Sequence, residues 1–97
     1  MVQIEALNVF KGEKKLPVMS VELPEDREKL AEAIKGFLKA GNALFLIQNK
    51  EQRRIESYIP KTNEWVLRPE GKMHKKDYPR VSAENTHILL VAPSQGG

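Results

Sequence analysis

The chain has 97 residues, of which 40% are hydrophobic and 30% charged, and it contains no cysteine. That length sets one domain around one core, burying roughly 65% of the surface that the unfolded chain exposes. The missing cysteines exclude a disulfide framework, a thiolate zinc site, an iron–sulfur cluster and a cysteine nucleophile.

Sixteen Lys and Arg against thirteen Asp and Glu leave a net charge of +3 and a pI near 9.3. Acidic residues are interspersed through most of the chain, so this balance raises nucleic acid as a partner without selecting it. The longest apolar runs, 43–47 (ALFLI) and 88–92 (ILLVA), are far too short to cross a bilayer. No basic-then-apolar leader opens the sequence, and the expectation is a soluble, cytoplasmic protein with no membrane partner.

Val2, Ile4 and Ala6 alternate with Gln3 and Glu5, the period of a half-buried strand. The polar, glycine-containing stretch 11–15 interrupts that pattern, and Met19, Val21 and Leu23 then alternate with Ser20 and Glu22. Together they predict a β-hairpin, with Pro17 at the start of its second strand, where a missing amide donor costs least. Pro24, Glu25 and Asp26 predict a helix start, because proline suits the first turn and the carboxylates meet the positive end of the helix dipole. Leu30, Ile34, Phe37 and Leu38 recur at the spacing of one apolar stripe, and Gly41 predicts a left-handed cap. Gly36, in mid-helix, costs about 1 kcal/mol relative to alanine; it is either a tolerated residue or the mark of a close approach to the sheet.

Residues 43–47 read as a central buried strand, and 48–54 as polar and turn-like. Two alternating runs, 54–59 and 64–68, flank the turn residues Pro60, Lys61, Thr62 and Asn63, predicting a second hairpin across which Tyr58 and Trp65 can pair. Residues 69–85 read as a long loop carrying a basic cluster of Arg68, Lys72, Lys75, Lys76 and Arg80 around His74. The run 87–91 is the last strand. The expected fold class is α+β: a mixed sheet, one main helix packed on one face, and an extra hairpin or long loop before the final strand.

A catalytic constellation is hard to assemble from these residues. His74 and His87 lie on a loop and a strand without metal-ligand spacing, and no serine sits in a glycine-flanked nucleophile elbow. No glycine-rich loop precedes the helix as phosphate binding requires. The chain therefore reads as a substrate or a binder and not as an enzyme, with no metal or cofactor of its own. Its conspicuous feature is the terminal pair Gly96 and Gly97, reached from a core strand through a short tail. Lacking Cβ atoms, such a tail can thread a narrow channel, the access needed by an enzyme that brings an α-carboxylate to the α-phosphate of ATP; the alternative is a frayed polar terminus, which most domains have.

The order hairpin, helix, strand, followed by a last strand running through Pro93 into Gly96 and Gly97, resembles the ubiquitin-like β-grasp family, and residues 88–97 (ILLVAPSQGG) are similar to the tails of its MoaD and ThiS sulfur carriers. The resemblance implies a β-grasp domain over residues 1–92 and a flexible tail over 93–97. It also implies a carrier or modifier whose Gly97 carboxylate is adenylated by a ubiquitin-activating-type enzyme with ATP and magnesium. Sulfide then displaces AMP to leave a thiocarboxylate that serves a sulfur acceptor enzyme, or a cysteine or lysine attacks to give a thioester or an isopeptide with a conjugation target. Gly96 is the slender approach, and Phe45, Tyr58 and Pro93 are expected to meet the partner enzyme. The stretch 50–85 departs from the family by being longer than a compact sulfur carrier needs. The alternative is a small nucleic-acid- or protein-binding module. In that reading Arg68, Lys72, Lys75, Lys76 and Arg80 contact phosphates while Trp65 or Tyr58 stacks on bases.

Overall fold

The computed structural model describes residues 1–8 and 14–93. It is an α+β structure in which seven strands form one mixed sheet in the order β2-β1-β7-β3-β4-β5-β6. The strands are β1 (Val2–Asn8), β2 (Lys14–Val21), β3 (Ala43–Gln48), β4 (Glu51–Ile59), β5 (Glu64–Leu67), β6 (Arg80–Ser82) and β7 (Thr86–Val91), and the helix α1 (Arg27–Lys39) lies between β2 and β3 in the chain. The first and last strands run parallel side by side, with Ile4 opposite Ile88, and every other neighbouring pair is antiparallel.

Strand alternation gives the sheet an inner and an outer face. Val2, Ile4, Val21, Leu44, Leu46, Ile55, Trp65, Leu67 and Ile88 belong to one buried cluster, joined by Leu30 and Ile34 from α1. Burying Leu30 and Ile34 stabilises the helix on the sheet by about 1.5–3 kcal/mol for each side chain. No buried polar or charged residue occurs among the described residues, so charge is confined to the surface.

The sheet cannot be flat. In its strand order β6 and β7 are four spacings apart, about 19 Å at ~4.8 Å per spacing. In the chain only residues 83–85 connect them, and the four Cα steps from Ser82 to Thr86 reach at most about 15 Å. The bend falls in β4, where the register shifts between Ile55 and Ser57. Residues 51–54 pair with β3, whereas Ile55 and residues 57–59 pair with β5. A bulge there increases the local twist and turns β5 and β6 over the inner face. Trp65 of β5 consequently reaches β7: its indole Nε1–H donates to Thr86 Oγ1 at 3.0 Å, and the Thr86 hydroxyl donates to the Ala83 carbonyl at 2.7 Å.

Several expectations are corrected at this level. The helix proper starts at Arg27, with Asp26 as its N-cap, while Leu23–Pro24 is a cis peptide leading into a preceding turn. In that turn the amides of Asp26 and Arg27 bond to the carbonyls of Glu22 and Pro24, and the first helical bond is from Leu30 N–H to the Asp26 carbonyl. Pro17 lies within β2, opposite Glu5, and not at its start; β2 is an edge strand, where an absent donor breaks no ladder. Residues 48–54 are mostly strand, because the turn is confined to Asn49 and Lys50, both at positive φ (49° and 68°), the pattern of a two-residue type I′ hairpin. The stretch 69–85 is not one long loop, since it contains a 3₁₀ turn at Lys75–Asp77 and strand β6, whose Val81 pairs with Trp65. The interruption predicted at 11–15 falls largely outside the described residues.

The cap on α1 is as expected. Gly41 has φ +90°, and the amides of Gly41 and Asn42 bond to the carbonyls of Leu38 and Phe37, the paired bonds of a Schellman motif. Gly36 is exposed, and a Cβ built on it would meet nothing within 4 Å, so it is the tolerated glycine of the two readings. The two positions therefore respond in opposite directions to alanine. Gly36→Ala is expected to raise stability by about 0.5–1 kcal/mol, and Gly41→Ala to lower it by about 1–2 kcal/mol, both read from urea unfolding midpoints at unchanged m.

Candidate functional site

The chain's exit is built by its central strands. β7 is held between β1 and β3, and its last pairing is Val91 with Ala43. Ala92 and Pro93 follow, both exposed. Pro93 sets its ring against Gly41, with Cβ and Cγ each 3.7 Å from where a Gly41 Cβ would stand. The chain thus leaves the sheet beside the C-terminal cap of α1. Gly96 and Gly97 lie outside the described residues.

Phe45 stands on the outer face of β3, half-buried, opposite Arg54 of β4 and Leu89 of β7. With Ala43, Ile47, Leu89 and Val91 it forms an apolar strip along the two central strands. Tyr58 is not on that face. It is 9% exposed, belongs to the inner cluster and meets Trp65 with ring centroids 5.0 Å apart, as the cross-strand pairing predicts. Its hydroxyl donates to Asn63 Oδ1 at 2.7 Å in the β4–β5 turn. Trp65 is 0% exposed. Both expected roles for these rings, partner contact by Tyr58 and base stacking by either, are corrected for one reason: the bulge in β4 turns them into the core.

The basic cluster is largely gathered on the outer face of β4, β5 and β6. One open trough of about 520 Å³ is lined by Phe45, Gln52, Arg54, Arg68, Pro69 and Pro79. A neighbouring trough of about 410 Å³ is lined by Glu56, Val66, Lys75, Lys76, Tyr78 and Arg80. They adjoin across β5, because Arg68 N–H bonds to the Arg54 carbonyl at 2.8 Å and Val66 is registered against Arg80. The Arg68 guanidinium donates through Nε and Nη2 to one carboxylate oxygen of Glu56, each at 2.9 Å. Lys72 is exposed but lines neither trough.

The sequence reading missed two residues of this surface. Arg54 stands in the sequence at the boundary between the turn-like stretch 48–54 and the alternating run 54–59, and its place beside Phe45 follows only from the β3–β4 register. Tyr78 was passed over inside the basic stretch, where an aromatic beside Lys75, Lys76 and Arg80 was legible. His74 is exposed ahead of the 3₁₀ turn, and His87 lies on the outer face in contact with Glu5 of β1. Among the described residues no group of three or more His, Asp or Glu side chains is placed to hold a metal ion, and no helix is long and apolar enough to cross a membrane. Compared with protein-family models, curated proteins and solved structures, the chain matches none.

Burial raises the Tyr58 phenol above the ordinary tyrosine range; Arg27 opposes this, while Glu28 and Glu84 add to it. The folded state therefore holds this proton more tightly than the unfolded state does. The associated stability is complete below the unfolded value near pH ~10 and is lost as pH rises through the folded value. Tyr58→Phe is expected to cost about 1 kcal/mol near neutrality, through the lost hydrogen bond to Asn63. It should also make stability fall less steeply above pH ~10, as measured by urea denaturation across that range.

Proposed function

We propose that the chain is a ubiquitin-like β-grasp carrier or modifier whose Gly97 carboxylate is the reacting group. The observation that carries this reading is the parallel pairing of β1 with β7, both interior strands of the sheet, with the opening hairpin on one side and the crossover helix leading to β3 on the other. That arrangement makes the final strand a core strand, so the tail departs from a fixed point on a rigid body. Pro93 against Gly41 gives the departure a defined direction. The strands β5 and β6 are an addition at one edge of this arrangement, and they account for the length of the stretch 50–85.

In the proposed chemistry an activating enzyme brings the Gly97 carboxylate to ATP. A carboxylate oxygen attacks the α-phosphorus, pyrophosphate leaves, and magnesium balances the phosphate charge. The acyl adenylate is then opened at its carbonyl carbon. Sulfide gives a thiocarboxylate with AMP leaving, a cysteine thiol gives a thioester, and an amine gives an amide. Neither Gly96 nor Gly97 contributes a side chain; their value is the narrow, conformationally free approach. Phe45 and the apolar strip around it provide a docking surface on the same sheet, and Pro93, exposed where the chain leaves β7, meets the same partner.

Removing Gly96 and Gly97 is expected to leave the unfolding midpoint unchanged while abolishing ATP–pyrophosphate exchange with a cognate adenylating enzyme. Intact-mass measurement of the full chain with that enzyme, ATP and sulfide should record replacement of one oxygen by sulfur. Exchange that persists in the truncated chain contradicts the reading.

A further inference from the structure

We infer that the outer face of β4, β5 and β6 binds single-stranded nucleic acid, an activity separate from the tail chemistry and not dependent on it. The two adjoining troughs are lined by six cationic residues, of which Arg54, Arg68, Lys75, Lys76 and Arg80 belong to the outer face while Arg53 takes the inner-face register opposite Leu46, against the carboxylates of Glu56 and Glu70. Glu56 is committed to Arg68. The remaining cations lie on a surface open along its length, not in an enclosed cavity. Such a shape suits an extended polyanion better than a small ligand, which is normally held in a cleft that buries most of it.

The planar groups favour a nucleic-acid strand over an acidic polypeptide. Phe45 shares the first trough with Arg54 and Arg68, and Tyr78 shares the second with Lys75, Lys76 and Arg80. Rings and guanidinium planes interleaved with phosphate-binding charges are what an unstacked base and its backbone use together. A chain of carboxylates would use the charges and leave the rings idle. A duplex presents its phosphates on a stiff cylinder and keeps its bases stacked inside, so it too would leave Phe45 and Tyr78 unused.

Fluorescence anisotropy of the full-length chain with labelled oligothymidylate of about 20 nucleotides tests this. Binding is expected in the micromolar range at about 50 mM salt and roughly fifty-fold weaker at about 200 mM, as four phosphate contacts on a single strand require. The double variant Arg54→Gln, Arg80→Gln should make the log–log salt slope shallower by about 1.4. Phe45→Ala should weaken binding roughly tenfold with the slope unchanged, and the leucine variant at the same position, which keeps bulk without a ring, separates stacking from packing if the alanine variant folds poorly. Deleting Gly96 and Gly97 should leave binding intact, so failure of the carrier reading does not remove this one. Absence of binding at low salt overturns the inference, as does an unchanged slope in the double arginine variant. Polyglutamate or a duplex of equal length binding as tightly as the single strand likewise overturns it, by assigning the surface to charge alone.

Discussion

The short link between β6 and β7 is the constraint on which the rest of the structure depends. Residues 83–85 must connect strands that stand at distant positions in the sheet order, and only a curled sheet allows it. The curl is made at the β4 bulge and fastened by Trp65, whose indole bonds to Thr86 at the first residue of β7. Thr86 in turn bonds to Ala83, within the link itself. One tryptophan, one threonine and one carbonyl thus close a core that α1 covers from its own side.

Closure sorts the side chains by chemistry. Everything the curl encloses is apolar or hydrogen-bonded, and the Tyr58 hydroxyl and the Trp65 indole both have partners, as buried polar groups require. Charge is displaced to the outside, where β4, β5 and β6 collect arginines and lysines while β3 and β7 keep an apolar strip. The two surfaces share Phe45 as a border. The apolar strip and the cationic troughs are therefore neighbouring parts of one sheet that meet at Phe45.

The elements with a strong hydrophobic period were legible in the sequence. The opening hairpin, α1 with its Gly41 cap, the buried β3 and the final strand follow from alternation, a helical stripe and a run of five apolar residues at 43–47. The first half of β4 was not legible, because Glu51, Gln52, Arg53 and Arg54 are held as strand by pairing with β3 and bury little of their own surface. β6 was hidden for the same reason: Val81 is its single apolar residue, and its conformation is imposed by β5. Tyr58 and Trp65 show a different limit. Their pairing across a hairpin could be read from spacing, but which face they occupy depends on a bulge that no local pattern announces. The basic cluster was visible as composition, whereas its assembly with Arg54 and Phe45 required the register of β3, β4 and β5.

The closure itself is tested most directly by a ¹⁵N-edited NOESY spectrum of the chain's single tryptophan. A Trp65 indole proton that shows cross-peaks to the Thr86 methyl group and exchanges slowly with water is the predicted result. An indole proton that exchanges rapidly and shows no contact with Thr86 would mean that β5 does not fold over the inner face, and the curled sheet would have to be abandoned.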